Sequence, residues 1–353
     1  MKALHGLRVI DVTQAMAAPF CTLNLADLGA DVIKVEPPGG EDMRRGSATK
    51  NGHAGTFLAM NRNKRGITVD LKRPEGVEIV RRLVKTADVF VQNYRPGVAQ
   101  RLGVAWEDLR AINPRLIYCS ISGFGATGPY APRGGYDLIA QGMSGIMSVT
   151  GDEDGAPAKA GLPVSDLSAG LFGAYGILCA LEARERTGEG QLVDTSLLEA
   201  AVALTVWEAT EYWVTGRAPR ALGSSHRLAA PYQALRASDG WFTIGANNDK
   251  LYEALCRALE RPDLLEDPRF AGSRERMRHR EALIPLLEKT TAQAPRAHWL
   301  ARLDAAGVPV KLSETPGAVD RPAPLLGQDN AAILTELGYS EAEQRVLAEQ
   351  RVV

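Results

Sequence analysis

Up to Thr215, short β-branched apolar runs alternate with longer segments in which apolar residues recur every three or four positions. This pattern predicts strands joined by helices, right-handed crossovers and a mainly parallel, doubly wound α/β sheet. The predicted strands are Leu7–Val12, Ala30–Glu36, Gly66–Leu71, Asp88–Asn93 and Leu116–Ser122. Ligands of such sheets bind beyond the carboxyl ends of the strands, so the residues that follow each strand are the candidates for function.

The pattern changes after Thr215. A loop rich in Gly, Ser, Ala and Pro leads into a strand candidate, "GWFTIGA", and then into amphipathic helices between Lys250 and Ala306. The length of 353 residues is enough for two domains. We predict a large domain over residues 1–215, a smaller α/β domain over 222–310, and over 311–353 a Pro-rich return with a C-terminal helix that packs back on the large domain.

Composition and charge narrow the function classes. The chain is 45% hydrophobic and 24% charged, which is typical of a globular protein with a sizeable core. Its 41 basic and 42 acidic residues give a net charge of −1, so we expect neither a nucleic acid nor a membrane surface as partner. No uninterrupted apolar run reaches the ~18 residues of a membrane span. The four cysteines are scattered, which predicts reduced thiols in a cytoplasmic protein, and neither they nor the five histidines have metal-ligand spacing.

The turn after the first predicted strand reads "VTQAMAAP" rather than G-x-G-x-x-G, and the chain has no G-x-x-x-x-G-K-[ST] motif. These absences argue against NAD or ATP as cofactor. The strand ends offer small residues, glycines, Tyr94 and cations such as Arg95 and Arg133. A ligand with phosphates, a flat base and a long thin arm suits such a set, although any one basic cluster alone is better explained as solvated surface.

Asp166 precedes a long run rich in small residues that predicts a helix from Asp166 to Arg186, with Gly188 beyond its end. Asp166 or Ser165 would be its N-cap, and the local pattern alone favours this role. Gly170, Gly173 and Gly176 lower helix propensity, which makes sense if a backbone or a narrow ligand passes close by. No other residue combines a nucleophile with a suitable setting, so cap and catalytic nucleophile both remain open.

The chain resembles the class III CoA-transferases, the CaiB/BaiF-type family that includes formyl-CoA, carnitine and dicarboxylate CoA-transferases and the α-methylacyl-CoA racemases. The resemblance runs through "LHGLRVIDVTQAMAAPFCTLNLADLGADVIKVEPPGGEDMR", "NRNKRGITVDLK", "DVFVQNYRPGVAQRLGV", "SGFGATGPYAPRGGYDLIAQGMSG", "DLSAGLFGAYGILCALEARERTGEGQLVDTSLLEA" and "PYQALRASDGWFTIGANNDKLYEALC", and ends in "RPAPLLGQDN". It implies a Rossmann-like large domain, a small α/β domain and a homodimer of interlocked protomers.

The resemblance implies that Asp166 attacks the acyl-CoA thioester, and that the start of its helix keeps it ionised and stabilises developing oxyanions. The CoA thioester would be a substrate, with no permanently bound cofactor and no metal. The residues implied for the CoA groove are Gln14, Ala15, Met16, Ala17, Leu71, Asn93, Tyr94, Arg95, Val98 and Arg101. Those implied for the acyl pocket and its mobile covering loop are Tyr136, Gly223, Ser224, Ser225 and His226.

Three features of the sequence depart from the family pattern. Tyr136 stands where the racemases have a histidine base, which favours a transferase because tyrosine is a poor base at neutral pH. Pro37 and Pro38 replace an adenine-stacking arginine of some relatives, and "AAGVPVKLSETPG" joins two segments that relatives separate by a few dozen residues.

We therefore expect transfer of CoA from an acyl-CoA, succinyl-CoA or similar, to a free acid. Because "GSSH", "PYQAL" and "GANND" resemble the dicarboxylate-using branch, we expect a dicarboxylic acid. The alternatives are an α-methylacyl-CoA racemase or isomerase, and a CoA-binding protein without turnover.

Overall fold

The computed structural model describes residues 2–46, 48–50, 52–303 and 320–353. Contacts within the chain divide it into two compact units. Of the described residues, the first unit comprises those within 2–146, 159–217 and 320–353, and the second comprises those within 147–158 and 218–303. Residues 147–158 thus interrupt the first unit, which the sequence pattern did not predict. The predicted boundary at residues 310 and 311 and the shortened segment Ala305–Gly317 lie outside the described residues, and the domain division stays a prediction.

The first unit contains a parallel sheet of six strands in the order β5-β2-β1-β6-β7-β8. Register pairs include Ile10 with Ile33 and Val91 with Cys119. The predicted mainly parallel, doubly wound sheet is therefore confirmed. The strands of the chain are β1 (Arg8–Asp11), β2 (Asp31–Glu36), β3 (Thr49–Lys50), β4 (His53–Ala54), β5 (Arg65–Thr68), β6 (Val89–Gln92), β7 (Ile117–Ser122), β8 (Leu192–Ser196), β9 (Tyr232–Ala237) and β10 (Gly240–Gly245).

Helices connect these strands and cover both faces of the sheet. Those of the first unit are α1 (Ala17–Asp27), α2 (Gly55–Asn61), α3 (Pro74–Lys85), α4 (Val98–Arg101), α5 (Trp106–Arg110), α6 (Asp137–Met143), α7 (Val164–Thr187), α8 (Leu197–Leu204), α9 (Val206–Thr215), α15 (Asn330–Glu336) and α16 (Glu341–Glu349). Those of the second unit are α10 (Asp249–Ala258), α11 (Asp263–Glu266), α12 (Ser273–Arg278), α13 (Arg280–Thr291) and α14 (Arg296–Leu303). Short 3₁₀ turns cover Asp42–Arg45, Ile146–Ser148 and Pro268–Phe270.

Alternating side chains of the strands fill two cores on opposite faces of the sheet, because successive residues of a strand point to opposite sides. Val9 belongs to the core beneath α1, α7 and α8, whereas Ile10 belongs to the core beneath α3. Ile333 and Leu347 from the C-terminal helices complete the second core.

The predicted strands agree with the observed ones to within a few residues, but β8 was not predicted. Leu192 is 43% exposed and Leu192–Ser196 has one fully buried residue, so its sequence lacks the apolar run of a central strand. Its position beside β7 depends on tertiary pairing, from Tyr118 with Leu192 to Ser122 with Ser196. Gly188 ends α7 with φ +75°, as predicted for a residue beyond the helix.

Within the described residues, α7 is the one helix long and apolar enough to cross a membrane, with a mean hydropathy of 1.5 over its best 18-residue window. Length and composition alone also fit the core helix of a globular unit. Here Ala169, Ala174 and Ile177 are buried against β-strands and α1, while Leu171 and Tyr175 on the other face are exposed.

The second unit has a small antiparallel hairpin and its own core. Strands β9 and β10 pair from Ala237 with Gly240 to Tyr232 with Gly245. Leu235, Phe242, Cys256 and Trp299 pack with side chains of α10, α11 and α13. The strand predicted at "GWFTIGA" is thus observed, and the amphipathic helices follow it as predicted.

Candidate functional site

A cavity of about 410 Å³ lies at the carboxyl ends of β1, β6 and β7 in the first unit, the edge at which parallel sheets bind ligands. Its walls come from the loops that follow these strands and from the first turn of α7. Its lining consists of Gln14, Ala15, Met16, Ala17, Asn93, Tyr94, Arg95, Pro96, Val98, Ile121, Ser122, Gly123, Arg133, Gly134, Gly135, Tyr136, Asp166 and Leu197.

One wall is the segment Gln14–Ala17, which connects β1 to α1. Asn93 holds it from the neighbouring loop, because its Oδ1 accepts the Gln14 N–H at 2.9 Å and its Nδ2 donates to the Gln14 carbonyl at 2.7 Å. This reciprocal pair joins two loops that the sequence separates by 79 positions. The predicted residues Gln14 and Asn93 therefore meet at the cavity.

The opposite wall depends on two glycines. A Cβ at Gly123 would lie 2.6 Å from the Gly135 Cα, and a Cβ at Gly135 would lie 2.5 Å from the Gly123 Cα. Two backbone segments can cross at this distance only without side chains. This crossing brings Tyr136 and Arg133 to the cavity although both lie well beyond the end of β7 in the sequence.

Two guanidinium groups line the cavity. Arg133 stacks over the Tyr130 ring at 4.5 Å, and the ideal Cβ position of Gly134 lies 3.4 Å from the Arg95 guanidinium. Among the residues that the structure describes, neither arginine has a carboxylate partner, so both charges are available to an anionic ligand.

Asp166 lies in the first turn of α7, but it is not the N-cap. Helix α7 begins at Val164, Pro163 is the N-cap residue, and no side chain of the helix caps it. Instead Oδ1 of Asp137 accepts the backbone N–H of Ser165 at 2.9 Å and that of Asp166 at 3.4 Å. The predicted capping role of Asp166 or Ser165 is therefore wrong. Asp137, at the start of α6, caps the helix instead, and the Asp166 side chain faces the cavity.

The electrostatic setting of Asp166 is determined by burial and by Asp137. Burial and the nearby Asp137 carboxylate raise the pKa of Asp166 to about 6. The helix start was expected to favour the ionised form; burial and Asp137 act in the opposite direction, and with a pKa of about 6 the Asp166 carboxyl group is still mostly ionised at neutral pH. The Ser165 and Asp166 N–H groups donate to Asp137 in this structure, and the expected stabilisation of an oxyanion at the helix start stays a prediction.

The glycines of α7 serve packing within the chain. A Cβ at Gly170 would lie 2.5 Å from the Ala17 carbonyl oxygen, and one at Gly176 would lie 2.7 Å from Val193 Cγ1. A close backbone was the predicted reason for these glycines, and for Gly170 the neighbour is α1. The alternative reason was a narrow ligand, but Gly170, Gly173 and Gly176 face other residues of the chain instead.

The cavity gathers most, but not all, of the predicted site residues. Leu71 and Arg101 do not line it, and Leu71 packs instead at the edge of the second core. Gly223–His226 belong to the second unit, where the Gly223 N–H donates to the Gly151 carbonyl and His226 stacks on Tyr232 at 4.7 Å. Their roles in CoA binding and in covering the acid stay predictions.

Sequence reasoning missed Asp137, which directly follows Tyr136 in "GGYD". The signal was a second carboxylate directly next to a residue already assigned to the site. The chain also contains, among its described residues, no group of three His, Cys, Asp or Glu side chains placed to hold a metal ion.

Comparison with known proteins identifies the family. The sequence model of CoA-transferase family III matches residues 4–312. This chain belongs to that family, the class III CoA-transferases. It is 42% identical to the succinyl-CoA:glutarate CoA-transferase of Mus musculus over 311 residues, 88% of this chain and 71% of the relative. A solved CaiB/BaiF family protein from Brucella suis has a TM-score of 0.85 at 39% identity, covering 95% of this chain and 99% of that one.

The predicted family, fold class and CoA-transferase activity are therefore confirmed, with CoA thioesters as the substrates that this class uses. The succinyl-CoA–D-citramalate CoA-transferase of Chloroflexus aurantiacus is 36% identical over 395 residues, which include all of this chain and 98% of the relative. This class III CoA-transferase has 353 residues, fewer than the 395 of the alignment. The relative therefore has residues at positions where this chain has none.

Proposed function

We propose that this class III CoA-transferase moves CoA from succinyl-CoA or a similar acyl-CoA to a free dicarboxylic acid, with Asp166 as the covalent nucleophile. The observation that carries the proposal is that Asp166 is the one carboxylate among the described residues that line the cavity. The donor and acceptor classes follow the relatives, whose names give succinyl-CoA with glutarate and with D-citramalate.

The reaction follows from the carboxylate at the cavity wall. A carboxylate oxygen of Asp166 attacks the thioester carbon, the C–S bond breaks, and CoA leaves as a thiolate with an acyl-aspartyl anhydride behind it. The thiolate then attacks the aspartyl carbonyl, which forms an aspartyl-CoA thioester and releases the donor acid. The acceptor carboxylate then attacks the aspartyl-CoA thioester, the C–S bond breaks, and the CoA thiolate leaves a new anhydride behind. The thiolate attacks the acyl carbonyl of this anhydride, which gives the new acyl-CoA and restores the Asp166 carboxylate.

The remaining walls suit the CoA part of the substrate. Arg95 and Arg133, which pair with no carboxylate of the described residues, offer positive charge to the phosphates, and the small side chains Ala15 and Ala17 leave room for the thin pantetheine arm. We assign the rest of the CoA groove to Gln14, Met16, Leu71, Asn93, Tyr94, Val98 and Arg101, and the acyl pocket to Tyr136 with the loop Gly223–His226.

The test is incubation with succinyl-CoA and a panel of dicarboxylic and monocarboxylic acids, followed by borohydride reduction and peptide mass mapping. We expect new acyl-CoA from the dicarboxylic acids, a reduced aspartyl residue at position 166, and no turnover in Asp166→Ala. Turnover with full activity in Asp166→Ala, or with the label elsewhere, contradicts the proposal.

Two further outcomes identify the alternatives. Solvent deuterium entering the α-carbon of a branched acyl-CoA with no acceptor acid present indicates a racemase or isomerase. CoA binding without transfer to any acid of the panel indicates a binding protein without turnover.

We also propose a homodimer. Leu171, Phe172 and Tyr175 on α7 and Trp207 and Trp213 on α9 expose between 43% and 75% of their surface, which is unusual for large apolar side chains of a monomer. A second copy of this chain is the partner that we propose for this apolar face.

We propose a cytoplasmic location as well, because all four cysteines are free thiols, as is typical of a reducing compartment.

A further inference from the structure

The loop that forms the first wall of the cavity contains a strained residue. Ala15 has φ +65°, in the left-handed region that residues with a Cβ rarely adopt. Such a conformation persists only where the surroundings hold it, and it is often associated with a functional site. Ala15 lines the cavity that contains Asp166, so the shape of this wall depends on what holds Ala15 in place.

A buried carboxylate holds it. Glu41 Oε2 accepts the Ala15 N–H at 2.9 Å, and Glu41 Oε1 lies 3.2 Å from Lys34 Nζ. The side chains of Lys34 and Glu41 are 0% and 1% exposed. The Lys34 ammonium also donates to the Thr13 carbonyl at 2.9 Å, so the two members of this ion pair bind the backbone of the loop on either side of Gln14.

Other buried groups complete the network. Oδ1 of Asp11 accepts the Thr13 N–H at 2.9 Å and the Thr13 hydroxyl at 2.5 Å, and Oδ2 of Asp11 accepts from Lys64 at 2.9 Å. Together with Asn93 on Gln14, these contacts engage each backbone N–H and carbonyl from Thr13 to the Ala15 N–H. A charge network this deeply buried is costly to desolvate, which points to a purpose beyond stability.

We propose that Glu41 is a positioning residue: its carboxylate, paired with Lys34, holds Ala15 in the left-handed conformation and thereby keeps the Gln14–Ala17 wall in the shape that binds the CoA thioester. The inference rests on the proposed function for the identity of the ligand, but the holding of Ala15 is a property of the unliganded chain. Glu41 acts through Ala15 and does not itself line the cavity.

The test compares Glu41→Gln with the wild type by amide hydrogen exchange of the segment around Ala15 and by calorimetric titration with CoA. We expect faster exchange, and a Kd for CoA and a KM for acyl-CoA raised by about tenfold, the difference between a charge-assisted and a neutral hydrogen bond, with kcat nearly unchanged. If Glu41→Gln does not fold, Glu41→Asp takes its place in every measurement. The shorter side chain of Glu41→Asp keeps the negative charge beside Lys34 but moves the carboxylate away from the Ala15 N–H.

The decisive variant is Ala15→Gly, because glycine adopts φ +65° without the cost that a Cβ imposes. We expect Ala15→Gly to recover much of the CoA affinity in the Glu41→Gln or Glu41→Asp background. Two controls separate this rescue from general stabilisation. Arg351→Gly relieves another left-handed residue, and Asp88→Asn removes the partner of the buried Arg184, both away from the cavity. We expect neither to change the Kd for CoA.

Unchanged exchange at the loop, unchanged CoA affinity, or a loss of affinity that Ala15→Gly does not relieve each overturns the inference. A wild-type chain that binds no CoA contradicts the proposed function instead, and the exchange comparison, which needs no ligand, still decides whether Glu41 holds Ala15.

Discussion

The Asp137 carboxylate lies against the first turn of the helix that carries Asp166, and it accepts the Asp166 N–H while its charge disfavours a second charge on the Asp166 side chain. One residue thus caps α7 and raises the pKa of its neighbour. With a pKa of about 6, the proposed nucleophile is still mostly ionised at neutral pH, but it is protonated in mild acid.

The first prediction concerns the pH dependence of turnover. Attack on the thioester requires the ionised Asp166, so kcat falls as the pH drops through about 6. Asp137→Asn removes one of the two causes of the raised pKa, and we expect the midpoint of the kcat profile to move to lower pH. Measurement of kcat between pH 4.5 and 8 checks this. Asp42→Asn, at a fully exposed carboxylate, is the control and leaves the midpoint unchanged.

The second prediction concerns stability and follows from the same pKa. Because the folded-state pKa of Asp166 lies above its unfolded value of about 4, its contribution to stability is fully present below pH 4 and is lost as the pH rises through about 6. Asp166→Asn removes the buried charge, so at pH 8 we expect a free energy of unfolding higher by on the order of 2 kcal/mol. Urea unfolding at pH 8 and pH 4 checks this, and the gain should vanish at pH 4. A gain that is equal at both values contradicts the assignment.

The third prediction concerns the contact between α1 and α7. Replacing a helical glycine by alanine usually stabilises a protein by about 1 kcal/mol. At Gly170 the new Cβ would lie 2.5 Å from the Ala17 carbonyl oxygen, so we expect Gly170→Ala to destabilise by about 1–3 kcal/mol and to weaken CoA binding, since Ala17 lines the cavity. Urea unfolding and CoA titration measure both effects. Gly161→Ala, where no heavy atom lies within 4 Å of the new Cβ, should change neither.

The fourth prediction concerns the apolar face of α7 and α9. We expect the wild type to sediment as a dimer and Trp213→Glu combined with Tyr175→Glu to sediment as a monomer, because two buried charges oppose association. Trp241→Glu is the control: Trp241 is 55% exposed, lies on β10 of the second unit and should leave the dimer intact. A wild type that sediments as a monomer at micromolar concentration contradicts the homodimer.

Much of the fold could be predicted from the sequence, because its signals are local. Apolar periodicity located β1, β2, β5, β6 and β7, and the parallel sheet followed from the helices between them. Strand β8 escaped because exposed side chains interrupt its pattern, and only pairing with β7 makes it a strand. The sequence pattern placed residues 147–158 in the large domain because the composition does not change there, whereas contacts within the chain group them with the second unit.

The sequence by itself determined the strands β1, β2, β5, β6 and β7 with the helices between them, the family, and the position of Asp166 at the start of a glycine-rich helix. Only the tertiary structure decided what surrounds that carboxylate. Asp137 meets it across 29 positions, and Glu41 reaches Ala15 across 26. The direction in which the Asp166 pKa shifts depends on these surroundings, since burial and the Asp137 charge both raise it. Such effects depend on distance in space, which the local pattern of a sequence does not encode.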